Sequence, residues 1–133
     1  MTIHFVIGPA GSGKTTYRVR EFPQLWAVDI HRHQWWLGND SPSRDVRLSY
    51  STHRRAVMRH ALIGWDFVIE HTMLRAQRRA YYINKLRANR LVCHYTTWPG
   101  CCPDDVMDVY ELPTIAEGFD ELVEIPNVAE SVR

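Results

Sequence analysis

Gly8-Pro9-Ala10-Gly11-Ser12-Gly13-Lys14-Thr15 matches the pattern G-x-x-x-x-G-K-T. Glycines at this spacing let backbone N–H groups converge on phosphate oxygens. The lysine then reaches the β and γ phosphates, and the threonine hydroxyl can ligate Mg²⁺. A helix beginning at Lys14 adds the favourable end of its dipole to the same place. The chemistry is nucleotide binding. Gly8, Gly11, Ser12, Gly13, Lys14, Thr15 and Thr16 are the binding residues, ATP or GTP the nucleotide, and Mg²⁺ the accompanying ion. Three more stretches carry side chains suited to reaction or binding. They are Val28-Asp29-Ile30-His31-Arg32, Val68-Ile69-Glu70-His71-Thr72 with Arg78 and Arg79 behind it, and Leu112-Pro113-Thr114-Ile115-Ala116-Glu117-Gly118-Phe119-Asp120.

A phosphate loop of this kind works only between a buried strand and a helix. Residues 3–7 are apolar apart from His4 and predict that strand, and residues 14–21 predict the helix. Residues 24–28 read as a second strand with Asp29 at its C-terminal end. Residues 38–49 are polar and read as a loop. Ser51 can cap a helix running to about residue 63, with Val57, Met58, Ala61 and Leu62 as its apolar face. Residues 67–69 predict a third strand, with Asp66 at the end remote from the chemistry and therefore structural. Residues 75–89 predict a helix whose inward stripe is Ala76, Ala80, Ile83 and Leu86. Residues 91–95 and 119–125 predict the last two strands, with a short acidic helix from Pro103 between them. Strands alternating with helices predict an α/β domain. It holds a five-stranded, mostly parallel sheet, helices on both faces and ligands beyond the strand C-termini.

The composition agrees with a single domain over residues 1–126 and a short polar tail over 127–133. Hydrophobic residues make up 45% of the 133, too many for a disordered chain. No apolar run approaches the roughly 18 residues of a membrane span, so no membrane partner is expected. Cys93, Cys101 and Cys102 are an odd number with an adjacent pair, which argues for a reducing, cytoplasmic setting. With His31, His33 and His94 they offer zinc-ligand types, but the spacing fits no familiar finger. Cys93 alternates with His94 on its strand and should face the core.

Beyond the loop the chain resembles the P-loop kinases of the polynucleotide-kinase type over nearly its whole length. Asp29 and Arg32 are similar to the D-x-x-R these kinases place after their second strand. The resemblance implies that Asp29 accepts or orients the proton of the attacking hydroxyl and that Arg32 holds the acceptor's phosphate. Phosphoryl transfer depends on such positioning and on charge neutralisation. Glu70, Thr72 and Arg79 look like the family's strand-end acid, threonine and later arginine. This implies Mg²⁺ held by Thr15 and, through water, by Glu70, and a catalytic Arg79 beside Lys14. Many members carry aspartate at position 70, and one extra methylene shifts the carboxylate. Residues 112–120 are similar to the family's P-T-x-x-E-G-F-D and bear on the fold rather than the chemistry. The implied fold is a P-loop three-layer α/β/α sandwich. Its lid is reduced, because residues 96–102 contain no arginine; Arg75, Arg78 and Arg79 are the nearest replacements.

The charge distribution points to the acceptor. Residues 44–90 hold eleven Arg or Lys against Asp45, Asp66 and Glu70, whereas residues 91–133 hold nine acids against Arg133 alone. Trp35 and Trp36 follow the Asp29/Arg32 element, and Tyr50, His53, Arg54, Arg55 and Arg59 come next. That interleaving suits bases stacked on rings and phosphates on guanidinium groups. Arg32, Trp35, Trp36 and Arg78 are the expected acceptor-binding residues, and the expected partner is nucleic acid, DNA foremost. A hydroxyl kinase acting on 5-hydroxymethyluracil within DNA, as in the phage DNA-modifying enzymes, and a polynucleotide 5′-hydroxyl kinase both fit. A small-molecule (nucleoside) kinase and a non-transferring P-loop ATPase are the further alternatives.

Overall fold

The structure is a computed structural model that describes residues 1–9, 11–29, 46–98 and 109–126. Strands β1 (Thr2–Ile7), β2 (Trp26–Asp29), β3 (Phe67–His71), β4 (Arg90–Tyr95) and β5 (Glu121–Glu124) form one sheet in the order β2-β3-β1-β4-β5. Every neighbouring pair is parallel. Among the described residues there are three α-helices, α1 (Lys14–Glu21), α2 (Val46–Ile63) and α3 (Ala76–Leu86), and a 3₁₀ turn over Ile115–Glu117.

A parallel sheet covered on both faces needs strands that are apolar on both sides, and period two divides the side chains between two cores. Ile3, Phe5, Ile7, Phe67, Ile69, Leu91 and Cys93 pack with Val57 of α2 and with Ile83 and Leu86 of α3. Val6 and Val68 face the other way and pack with Tyr17 of α1. Cys93 is thus in the core, as its place in the strand predicts, and burial raises its thiol pKa well above the ordinary value. Asp66 is structural: its Oδ1 accepts the Thr2 amide at 2.7 Å, at the N-terminal edge of the sheet.

Two helices differ from the sequence expectation. Helix α2 begins at Val46, so residues 46–49 are helical rather than loop. Its buried positions are His53 and Val57, with Ala61 partly buried one turn further on, and Leu62 is 87% exposed. At 100° per residue Leu62 is rotated off that stripe. In α3 the buried residues are Arg79, Tyr82, Ile83 and Leu86, while Ala76 and Ala80 are only partly buried. The polar members of both stripes have buried partners that hydropathy does not register. Arg32, Trp35, Trp36, His31, His33, Cys101, Cys102, the helix expected from Pro103 and the 127–133 tail lie outside the described residues.

Candidate functional site

The phosphate loop leaves the C-terminal end of β1 between β3 and β4, the central crevice of the sheet. Its first residue is clamped from both sides. The Gly8 amide donates to the Thr72 carbonyl at 3.2 Å, beyond β3. On the β4 side, a Cβ at Gly8 would lie 2.1 Å from Thr96 Oγ1 and 2.9 Å from Ser12 Oγ, and φ is +152°. No other side chain fits. Thr96 is buried; its amide donates to the Ile7 carbonyl and its hydroxyl to Ser12 Oγ at 3.1 Å. Gly13 caps α1 at φ 93°, a left-handed conformation that glycine adopts without strain.

Helix α1 has no side-chain cap and no acid in its first turn. Its N-terminal amides and dipole are therefore directed at whatever anion the loop receives. Lys14 is buried, with its ammonium donating to the Pro9 carbonyl at 3.0 Å, so its charge is held over the loop. Thr15 and Thr16 follow on the exposed side of the first turn.

Alternation along β3 sends its last two side chains to opposite faces. Glu70 points to the α1 side. Its Oε2 accepts the Thr15 hydroxyl at 2.7 Å, and its Oε1 accepts Arg18 Nε at 2.6 Å. The expected Thr15/Glu70 pair is therefore brought together, with an ion pair to Arg18 that the sequence reading missed. Arg18 is three residues after Thr15, one helical turn along the same face, and that spacing was the available signal. Because the Thr15 hydroxyl gives its proton to Glu70, its oxygen lone pairs remain for a cation. Two hard oxygen donors beside Lys14 fit Mg²⁺ as a direct Thr15 ligand with Glu70 acting through water. Among the described residues no group of three or more His, Cys, Asp or Glu is placed to hold a metal by itself.

Asp29 ends β2 and pairs in register with Glu70. Val28 and Ile69 share one core and Ala27 and Val68 the other, so Asp29 and Glu70 lie on the same face at the same edge. His53 of α2 fixes the backbone one residue earlier. Its Nε2 donates to the Val28 carbonyl at 3.0 Å, and its Nδ1 accepts the Tyr82 hydroxyl at 2.8 Å. A carbonyl only accepts, so this tautomer is determined. Burial pushes the Tyr82 hydroxyl pKa well up, which keeps it a donor at neutral pH.

His71 points the other way, into a cavity of about 540 Å³ between α2 and α3. The wall alternates rings and cations. Tyr50 stacks on His71 at 5.4 Å and 19°, the Arg78 guanidinium lies 4.5 Å from the Tyr50 ring centre, and Arg54 lies 5.1 Å from that of Tyr81. Arg75 completes the basic lining. Arg78, one of the expected acceptor-binding residues, lines this cavity. Thr72 belongs to both halves, since it lines this cavity while its carbonyl holds Gly8. The turn after it is strained: Met73 has φ 41°, at a cost of about 1–3 kcal/mol for a non-glycine residue. Two bonds hold it there, Met73 N–H to His71 Nδ1 at 3.1 Å and Arg79 Nη1 to the Met73 carbonyl at 2.9 Å.

Arg79 corrects an expectation. It is fully buried, and its Nε and Nη2 donate to the two carboxylate oxygens of Glu117 at 2.7 and 3.1 Å. With its fork spent on Glu117 and on Met73, it is a structural residue and not a phosphate contact. Arg75 and Arg78, on the exposed side of the same helix start, face the cavity instead.

No protein-family model matches the sequence, and no curated protein matches it. No helix among the described residues is long and apolar enough to cross a membrane.

Proposed function

We propose that the protein is a P-loop kinase of three-layer α/β/α architecture that transfers the γ phosphate of ATP to a primary hydroxyl on nucleic acid. The favoured acceptor is the hydroxymethyl group of 5-hydroxymethyluracil within DNA. One observation carries the reading: Thr72 joins the phosphate loop to the arginine- and tyrosine-lined cavity. A nucleotide on the loop and an anionic, ring-bearing acceptor in the cavity would meet beyond the C-terminal edge of the sheet, which Asp29 and Glu70 reach from the α1 face.

The division of labour follows from position. The loop amides, the α1 dipole and Lys14 neutralise the donor phosphates. Thr15 and, through water, Glu70 would hold Mg²⁺, which would supply charge compensation at the phosphates. Asp29 takes the proton of the acceptor hydroxyl as its oxygen attacks the γ phosphorus. The bond from that phosphorus to the β–γ bridging oxygen breaks, ADP leaves, and Asp29 returns the proton to solvent. Arg54, Arg75 and Arg78, which line the cavity, are placed to offset charge on the acceptor side.

The test is transfer of labelled γ phosphate to two oligonucleotides. One has a free 5′ hydroxyl and ordinary bases; the other is blocked at both ends and contains 5-hydroxymethyluracil. Label in the second establishes the internal-base kinase, and label in the first alone makes it an end kinase. Label in neither overturns the nucleic-acid acceptor. Asp29→Asn should abolish transfer and leave ATP binding intact; transfer retained by that variant removes Asp29 as the base.

A further inference from the structure

A second cavity, of about 430 Å³, lies over the outer faces of α2 and α3 and is lined by Ser51, Arg54, Arg55, Met58, Arg59 and Tyr81. It shares Arg54 and Tyr81 with the first cavity, so the two adjoin at that stacked pair. Among the described residues neither lining contains an aspartate or glutamate. The two linings carry five arginines, Arg54, Arg55, Arg59, Arg75 and Arg78, and none is ion-paired with a carboxylate among the described residues. Arg55 and Arg59 are one turn apart on the exposed side of α2. Tyr81 is 39% exposed, with Arg54 set against its ring.

We infer that this outer cavity is a binding subsite for single-stranded nucleic acid, adjoining the acceptor seat but separate from it. Arg55 and Arg59 take two successive backbone phosphates, and the exposed Tyr81 ring carries an unstacked base. Five arginines with no carboxylate partner among the described residues exceed what one small anion can neutralise, whereas a polyphosphate backbone matches them in sign and repeat. An exposed ring between those cations serves a base that has left its stack, and bases paired in a duplex do not offer that face. The inference rests on the nucleic-acid reading for its ligand class and not on phosphoryl transfer.

Binding is therefore measured without any transfer, by fluorescence anisotropy with a labelled, 5′-phosphorylated oligonucleotide of ordinary bases at several salt concentrations. Arg55→Ala/Arg59→Ala should weaken binding and reduce the slope of log K against log salt by about 1.4, because two phosphates of a single strand are no longer neutralised. Tyr81→Leu should lose at least about 5-fold in affinity, and Tyr81→Phe, which keeps the ring, should bind as the parent does. No nucleotide and no transfer enter this measurement, so a failed kinase reading leaves the result legible. Circular dichroism confirms that each variant is folded. Unchanged affinity and slope in the arginine pair, Tyr81→Leu binding like Tyr81→Phe, tighter binding of duplex than of single strand, or binding to phosphatidylserine vesicles in place of the oligonucleotide would each overturn the assignment.

Discussion

Arg79 and Glu117, 38 residues apart in the chain, form a two-point ion pair whose arginine has no solvent exposure. Glu117 is held in turn by Thr114, whose amide donates to its Oε2 at 2.7 Å. Removing one member strands the other. Glu117→Gln or Arg79→Met should therefore cost about 3–5 kcal/mol of stability, read as a lower urea midpoint. The rate per folded molecule should change far less than in Asp29→Asn. A large rate loss at unchanged stability would return Arg79 to the catalytic group.

That pair also separates what the sequence discloses from what it does not. Spacing alone was enough to place the turn from β1 into a helix starting at Lys14, because that geometry is local. The three central strands β1, β3 and β4 were legible too, since burial on both faces requires apolar runs. The role of Arg79 was not, because motif spacing places it near the site while its orientation depends on a carboxylate from a distant segment. The Tyr50–His71 stack and the His53 bonds to Val28 and Tyr82 were hidden for the same reason. Each joins elements far apart in sequence, and polar side chains in a helix stripe leave no hydropathy signal.

Glu70 bonds to both Thr15 and Arg18, which gives it two separable effects. Glu70→Gln keeps an acceptor for Thr15 and loses the charge that pairs with Arg18. The expected result is a transfer rate lower by about 10²–10³-fold, the scale of removing one charge-stabilising group at a reacting phosphate. The Mg²⁺ concentration for half-maximal rate should rise as well, and EDTA should abolish transfer in the parent. A Glu70→Gln enzyme with parental rate and Mg²⁺ dependence would confine Glu70 to orienting Thr15 and Arg18.

Gly8→Ala tests the clamp between β3 and β4. The added methyl meets the Thr96 hydroxyl at 2.1 Å on a backbone that disfavours any Cβ. The loop must then shift away from β4, and ATP affinity measured by calorimetry should fall at least about 10-fold, by more than 1.4 kcal/mol. Thr96→Ala in the Gly8→Ala background removes the worst contact and should restore part of the thermal stability. Ser12 Oγ, 2.9 Å away, and the positive φ both persist. Full recovery would show that the clash with Thr96 is the whole of the constraint.

On the opposite face from the cavity, His94 of β4 links α1 to the sheet. Its Nδ1 meets the Tyr17 hydroxyl at 2.8 Å, and its Nε2 meets His4 Nδ1 at 2.9 Å, with the Phe22 ring beside it. Burial, and secondarily the nearby His4, lower its pKa from 6.5 to about 4; His4 is also lowered, chiefly by burial. The folded protein thus resists protonation at a pH where the unfolded chain accepts it. More protons bind to the unfolded state between about pH 6.5 and 4, so stability rises with pH across that window. The contribution is complete above pH 6.5 and is lost as pH falls, by about 3 kcal/mol in full. Urea unfolding at pH 7.5 and 5 should show the parent markedly less stable at the lower pH. His94→Gln cannot titrate, and the gap between the two pH values should narrow. Since α1 carries Lys14 and Thr15 in its first turn, ATP affinity should weaken over the same interval in the parent and less so in His94→Gln. An identical pH dependence in the two proteins would transfer the effect to the carboxylates.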